Sequence, residues 1–289
     1  MIFNRHMFRR AAIIGTGMIG GSLALALKKH GLVGSIIGVS RQEASLKTAV
    51  EMKAIDESTM DIHKAIQGAD LVILAAPVKV ILDNIEDISK HLRRGCIVTD
   101  VGSTKLSIVD LAEKHFPPHV MFVGSHPMAG SEKSGISHAN ADLFKGAACI
   151  MTPTAKTNRM ARDKVKQLWT IVGAQVKLME PAAHDEALAY VSHLPHMLAF
   201  SLARAIPEAF LEHGAIGLKD TTRLAGSSSK MWSDICISNY RQVIKAIDES
   251  VKSLADIRKA VVAKDEQELV QIFNQAKTKR EILEKKING

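Results

Sequence analysis

The chain has 289 residues, 46% hydrophobic and 24% charged, which gives room for two ordinary domains and excludes a disordered or fibrous protein. Thirty-eight Lys and Arg against thirty Asp and Glu give a net charge of +8, favouring anionic ligands. The cations are dispersed, however, with no basic run interleaved with aromatics, so nucleic acid is not an expected partner. No apolar stretch approaches the roughly 20 residues of a membrane span. Cys96, Cys149 and Cys236 are odd in number, far apart and set in apolar contexts. They read as free thiols in a reducing compartment. The basic start MIFNRHMFRR runs straight into a strand and a Gly-rich turn that signal cleavage would remove, so a cytoplasmic protein is expected.

Short apolar runs come first. Residues 11–14, 35–39, 71–75, 97–101, 120–123 and 149–151 are continuously apolar, as strands buried on both faces are. Helical patterns such as 20–30 and 80–91 separate them, and this alternation predicts a doubly wound α/β sheet of Rossmann type. An amphipathic segment over 160–172 followed by 175–179 predicts one more edge strand. From Ala183 onward strand signals vanish. Tyr240, Val243, Ile247, Val251, Leu254, Ile257 and Val261 recur at steps of three and four, predicting one long amphipathic helix. Its length fits packing against a second subunit. Leu269, Ile272, Phe273, Ala276 and Leu283 mark a last helix. The expectation is a dinucleotide-binding domain over 1–180 and an all-α domain over 181–289.

Gly15-Thr16-Gly17-Met18-Ile19-Gly20 follows an apolar strand and opens a helix. Gly15 permits the tight turn, Gly17 lets a pyrophosphate approach the backbone, and Gly20 lets helix and strand pack closely. The helix N-terminus supplies amides and partial positive charge to the phosphates. Gly21-Ser22 stands where a Walker A loop needs Lys-Ser/Thr. The second strand ends Gly38-Val39-Ser40-Arg41. There a carboxylate would bind the ribose hydroxyls of NAD, whereas a hydroxyl and a guanidinium suit a 2′-phosphate. The cofactor reading is NAD(P)+, with NADP favoured by Ser40 and Arg41.

Polar residues end three later strands, where ligands of open α/β sheets sit. Ala75-Ala76-Pro77-Val78 places Ala76 and Pro77 against the cofactor. Asp100-Val101-Gly102-Ser103-Thr104-Lys105 and the Gly-rich segment from Gly124 to Glu132 follow. Removing hydride from a carbon that bears a hydroxyl needs a base for the hydroxyl proton, and histidine titrates in the right range. His126, in a loop just past a strand, is the candidate base, with Ser103 placed to orient its ring; the bland alternative is a structural histidine. In Ser192-His193-Leu194-Pro195-His196 two histidines lie three apart on one helix face. No Cys or carboxylate cluster supports a metal there, and Pro195 distorts the helix. His196 presented to an anionic substrate is preferred. Arg223 is a natural bidentate clamp for a carboxylate, unless it ties its own loop to Asp220 or Asp234.

Taken together, GTGMIGGSLALAL at 15–27, DVGSTK at 100–105, GSHPMAGSEKSG at 124–135, SHLPH at 192–196 and DTTRLAGSSSKMW at 220–232 resemble the prephenate/arogenate (cyclohexadienyl) dehydrogenase family. The resemblance spans about 15–235, and HPMAGSEKSG is its most specific segment. It implies oxidative decarboxylation of a cyclohexadienyl acid, a small-molecule substrate, with hydride transfer to NAD(P)+. It implies that His126 is the catalytic histidine on the 4-hydroxyl and Ser103 the serine assisting it. His196 and Arg223 match the positions holding the substrate's anionic groups, and Ser131 and Glu132 the loop near its side chain. A homodimer joined through the helical domain is implied as well. No chorismate mutase segment precedes the turn and no regulatory domain follows the last helix, so a monofunctional enzyme is expected. A β-hydroxyacid dehydrogenase and a non-catalytic dinucleotide sensor are the competing readings; the first leaves HPMAG unexplained. Nothing in the sequence decides prephenate against arogenate, or inhibition by tyrosine.

Overall fold

The structure, a computed structural model, describes residues 6–130 and 135–288. The chain alternates β1 (Phe8–Ile14), α1 (Met18–Lys29), β2 (Val33–Val39), α2 (Glu43–Glu51), β3 (Glu57–Thr59), α3 (Ile62–Ile66), β4 (Leu71–Leu74), α4 (Val78–Ser89), β5 (Ile97–Asp100), α5 (Leu106–His115) and β6 (Met121–Pro127). β7 (Ala148–Thr152), α6 (Arg159–Ile171) and β8 (Gln175–Leu178) follow. The eight strands form one sheet in the order β3-β2-β1-β4-β5-β6-β7-β8, parallel except between β6 and β7. The Rossmann-type fold expected from the sequence is therefore present. Strand order reverses between β1 and β4, which opens a crevice at their carboxyl ends, the usual ligand position in such sheets.

Each strand serves two cores. Along β1, Ala11 and Ile13 join a cluster with Leu23, Leu27, Phe144 and Trp169. Ala12 and Ile14 join another, with Ile81, Ile85, Ile88 and Ile108. That division explains the continuously apolar strands: neither face sees water. Each fully buried aliphatic side chain contributes about 1.5–3 kcal/mol, so the sheet is a rigid base for the loops at its edge.

Two expectations needed correction. β3 carries only Glu-Ser-Thr and shows no apolar run, so periodicity missed it; pairing with β2 and the Arg10–Glu57 ion pair define it instead. β6 does not stop at Val123. Its parallel pairing with β5 ends there, and Gly124–Pro127 then pairs antiparallel with β7. His126 thus sits on a strand, opposite Ile150, rather than in a loop.

After β8 the chain is helical: α7 (Pro181–Leu188), a π-helical turn (Ala189–His193), α8 (Leu194–Ala205), α9 (Ile216–Thr222), α10 (Ser229–Ser238), α11 (Tyr240–Ala263) and α12 (Glu266–Asn288). The π turn precedes Pro195, which has no N–H to donate and whose ring disfavours a regular preceding turn. By internal contact the chain divides into Met1–Tyr240 and Arg241–Gly289. Among the described residues no helix is long and apolar enough to cross a membrane.

A methyl group at Gly20 would lie 2.0 Å from the Gly15 carbonyl oxygen, whereas one at Gly17 meets nothing within 4 Å. Gly20→Ala is expected to cost at least about 1–3 kcal/mol, seen as a lowered Tm. Gly17→Ala should leave Tm nearly unchanged.

Candidate active site

The first βα turn is shaped for a dinucleotide. Gly15 has φ +107° and a side chain there would strike the Ala75 carbonyl at 2.4 Å, so only glycine fits. Gly17 is the N-cap of α1 and gives its amides no side-chain cap. The open space above Gly17 leaves the first-turn N–H groups to a ligand's phosphates. Thr16 Oγ1 is buried without a partner, another polar group facing no protein atom that satisfies it. These residues fit a nicotinamide dinucleotide. Ser40 and the exposed Arg41 follow β2, where a ribose end would lie; Ser40 Oγ accepts the Gln42 N–H at 3.1 Å.

From this turn a cavity of about 770 Å³ runs past Met18, Ile19, Ala76 and Pro77 to Ser103, His126, His196 and Arg223. The sequence-selected residues therefore converge, although more than 200 positions separate Gly17 from Arg223. Ser131 and Glu132 lie outside the described residues.

His126 is held from behind. Its Nδ1 lies 2.9 Å from His184 Nε2, and His184 Nδ1 lies 2.8 Å from Asp185 Oδ1. The hydrogen bond that fixes the ring thus comes from His184, while Ser103 lines the cavity nearby. Asp185 also accepts the backbone N–H groups of Lys105 at 2.7 Å and Leu106 at 2.9 Å. It caps α5, whose own N-cap supplies no side-chain bond. Asn239 anchors the same turn, donating to the Asp185 carbonyl at 2.7 Å.

Lys105, fully buried, pairs with the buried Asp100 and donates to the Ser125 carbonyl at 2.9 Å. Asp100 in turn accepts the N–H groups of Gly102 and Ser125. Every polar atom of this pair therefore ties the end of β5 to β6, which carries His126. Burial first, then the charges of His184, Lys105 and His193, hold His126 well below the usual histidine range. At neutral pH it is an uncharged imidazole, ready to accept a proton.

The other wall comes from the helical region. His196 stacks on Trp232 with ring centroids 3.6 Å apart, and its Nδ1 donates to the Ser192 carbonyl at 2.9 Å. That bond leaves Nε2 for a ligand; burial lowers its pKa. Arg223 is exposed, lines the cavity and makes no ion pair among the described residues, while Asp234 is taken by Lys230. The loop-tying alternative for Arg223 is therefore unsupported. His193 does not share the cavity. It is buried against Trp232 and Asn239.

Sequence reasoning missed His184, Asp185 and the support from Trp232. A signal existed. The buried face of α7 is Pro181, His184, Asp185 and Leu188, so two polar residues occupy positions where an amphipathic helix places apolar ones.

Comparisons with known proteins bear on the family and the fold. The family model for the nucleotide-binding domain of prephenate dehydrogenase matches residues 23–178, and the model for its dimerization domain matches residues 180–275. The prephenate dehydrogenase of Bacillus subtilis is 35% identical over 276 residues, which is 93% of this chain and 74% of that one. Among solved structures, prephenate dehydrogenase from Aquifex aeolicus in complex with hydroxyphenyl propionate and NAD+ has a TM-score of 0.87 at 35% identity, covering 95% and 98% of the two chains. Synechocystis arogenate dehydrogenase has a TM-score of 0.80 at 29% identity, covering 95% and 99%.

Burial pushes His193 down to about 4 from 6.5. As pH falls the unfolded chain takes up this proton before the folded one. The stability that neutral His193 contributes is whole above pH 6.5 and lost as pH falls through about 4. Thermal unfolding in that window should show Tm falling, with His193 accounting for about 3 kcal/mol. His193→Gln should flatten the dependence.

Proposed function

The chain belongs to the prephenate dehydrogenase family, and from that premise we propose how its residues divide the work. It is an NAD(P)-dependent oxidoreductase that oxidatively decarboxylates prephenate or arogenate, giving 4-hydroxyphenylpyruvate or tyrosine. Residues 1–180 form the dinucleotide-binding domain and 181–289 the helical substrate and dimerisation domain.

The observation that carries the assignment is His126: uncharged, anchored through Nδ1, and facing a cavity that begins at the dinucleotide turn. Its free nitrogen accepts the proton of the substrate's 4-hydroxyl. A nicotinamide held at the Gly15–Gly20 turn would supply the acceptor for the hydride on the carbon carrying that hydroxyl. The ring carboxylate leaves as CO2, its bonding pair passing through the ring to the 4-oxygen, which takes the proton back from His126, and aromatisation makes the step favourable. The amides at the start of α1 and the open face of Gly17 hold the pyrophosphate, while Ala76 and Pro77 bound the nicotinamide end. Ser103, which lines the same cavity as His126, orients the hydroxyl. His196 and Arg223 clamp the substrate's anionic groups, and the family motif assigns Ser131 and Glu132 to its side chain.

The relative from Aquifex aeolicus holds NAD+. In this chain Ser40 and Arg41 favour the 2′-phosphate of NADP, because they stand directly after β2 in place of a carboxylate that would repel it. A homodimer is supported by apolar side chains left exposed on α8 (Leu198, Leu202) and on α11 (Val251, Leu254, Val261). Such side chains suit burial against a second copy of the chain, and light scattering should give twice 31.4 kDa. A reducing, cytoplasmic setting suits three free cysteines, of which burial pushes Cys96 up to about 12 and so makes it unreactive.

His126→Asn should lower kcat about 10²–10⁴-fold with the dissociation constant for reduced cofactor unchanged. A variant that keeps most of its turnover would remove the base assignment. Arg223→Ala should raise KM for the cyclohexadienyl substrate more than about tenfold, and far more than KM for cofactor. Steady-state rates with each substrate against each cofactor should favour NADP+, and Arg41→Ala should abolish that preference.

A further inference from the structure

His184 and Asp185 occupy core positions of α7, where an unpartnered polar group is costly. Capping α5 requires only Asp185. Yet His184 stands between that carboxylate and His126, fully buried, with both ring nitrogens in hydrogen bonds. A helix cap alone does not explain it.

The polarity of this chain of bonds follows from what each group has to give. Both oxygens of Asp185 already accept backbone N–H groups, and a carboxylate oxygen accepts from His184 as well. Nδ1 of His184 therefore carries its proton. In its uncharged form His184 has a single N–H, so its Nε2 is then an acceptor, and the nitrogen 2.9 Å away, Nδ1 of His126, donates. His126 then has a bare lone pair on Nε2. In histidine, the bond made by one nitrogen decides the state of the other.

We propose that His184 and Asp185 are positioning residues that hold His126 as the Nδ1–H tautomer, with Nε2 poised as the base. The inference rests on His126 being the base, as argued above. When the substrate O–H breaks and the proton joins Nε2, the ring becomes an imidazolium. Its Nδ1–H bond to His184 then becomes charge-assisted, and so stronger. His184 in turn leans on the Asp185 carboxylate, so the new charge is met by an oriented acceptor chain. Burial opposes that charge, as do His184 and His193 whenever they are themselves protonated, and Lys105. Lys105 Nζ is already committed to Asp100 and the Ser125 carbonyl, which keeps its N–H groups off the ring.

The test is ¹⁵N-histidine NMR on the full chain, joined to steady-state kinetics of His184→Phe, which fills similar space and can accept nothing. In the unmodified protein His126 should be protonated on Nδ1. In His184→Phe that preference should be lost, kcat should fall roughly 10- to 100-fold, and KM for substrate and cofactor should stay within about twofold. His126 protonated on Nε2 in the unmodified protein overturns the proposal, even where His184→Phe fails to fold. So does a folded His184→Phe that keeps its kcat. His126→Asn separates the two ideas: if it is inactive while His184→Phe is fully active, the base stands and the relay falls. If His126→Asn is itself active, both fall.

Discussion

The carboxylate of Asp185 is the constraint on which the site depends. Through two backbone N–H bonds it fastens the middle of α7 to the start of α5, and through His184 it reaches His126 on β6. One side chain thus joins the sheet, a helix packed on it and the first helix after it. Removing one partner from a buried charged network costs about 3–5 kcal/mol, so these elements keep their spacing or come apart together.

The Lys105–Asp100 pair does related work on the other side of the ring. A buried ion pair is weak evidence of stability, since desolvating two charges offsets much of their attraction. Here its effect is geometric. Asp100 and Lys105 together bond the backbone of Gly102 and both the N–H and carbonyl of Ser125, fixing the residue before His126. Burial chiefly keeps the imidazole neutral, and the ammonium adds to it. A base needs that state, and position and protonation come from the same residues.

What was legible in the sequence followed the range of the interactions that encode it. The dinucleotide turn is a local motif: Gly15, Gly17 and Gly20 lie within six residues, Gly20 answering to the Gly15 carbonyl and Gly17 to open space, although Gly15 is also constrained by the Ala75 backbone after β4. The double-faced strands were legible because both cores draw on the same runs. β3 was not, because its three polar residues are held by neighbours rather than by burial. The extension of β6 was hidden too, since its pairing with β7 is tertiary. His126, His196 and Arg223 were found by residue type and motif, but nothing short-range places them in one cavity. His184 and Asp185 are the instructive case. They look like ordinary polar residues near a helix start, and only their spacing with Pro181 and Leu188 betrays that they face inward.

The most direct test of the site as a whole is the pH dependence of kcat/KM, measured by jumping enzyme held at neutral pH into progressively more acid assays. Burial and neighbouring positive charge lower His126, so the rate should hold through the ordinary histidine range and fall only well below pH 6.5, where the base becomes protonated. A half-maximal rate at or above pH 6.5 would contradict the account: the proton acceptor would then be a group outside this buried network.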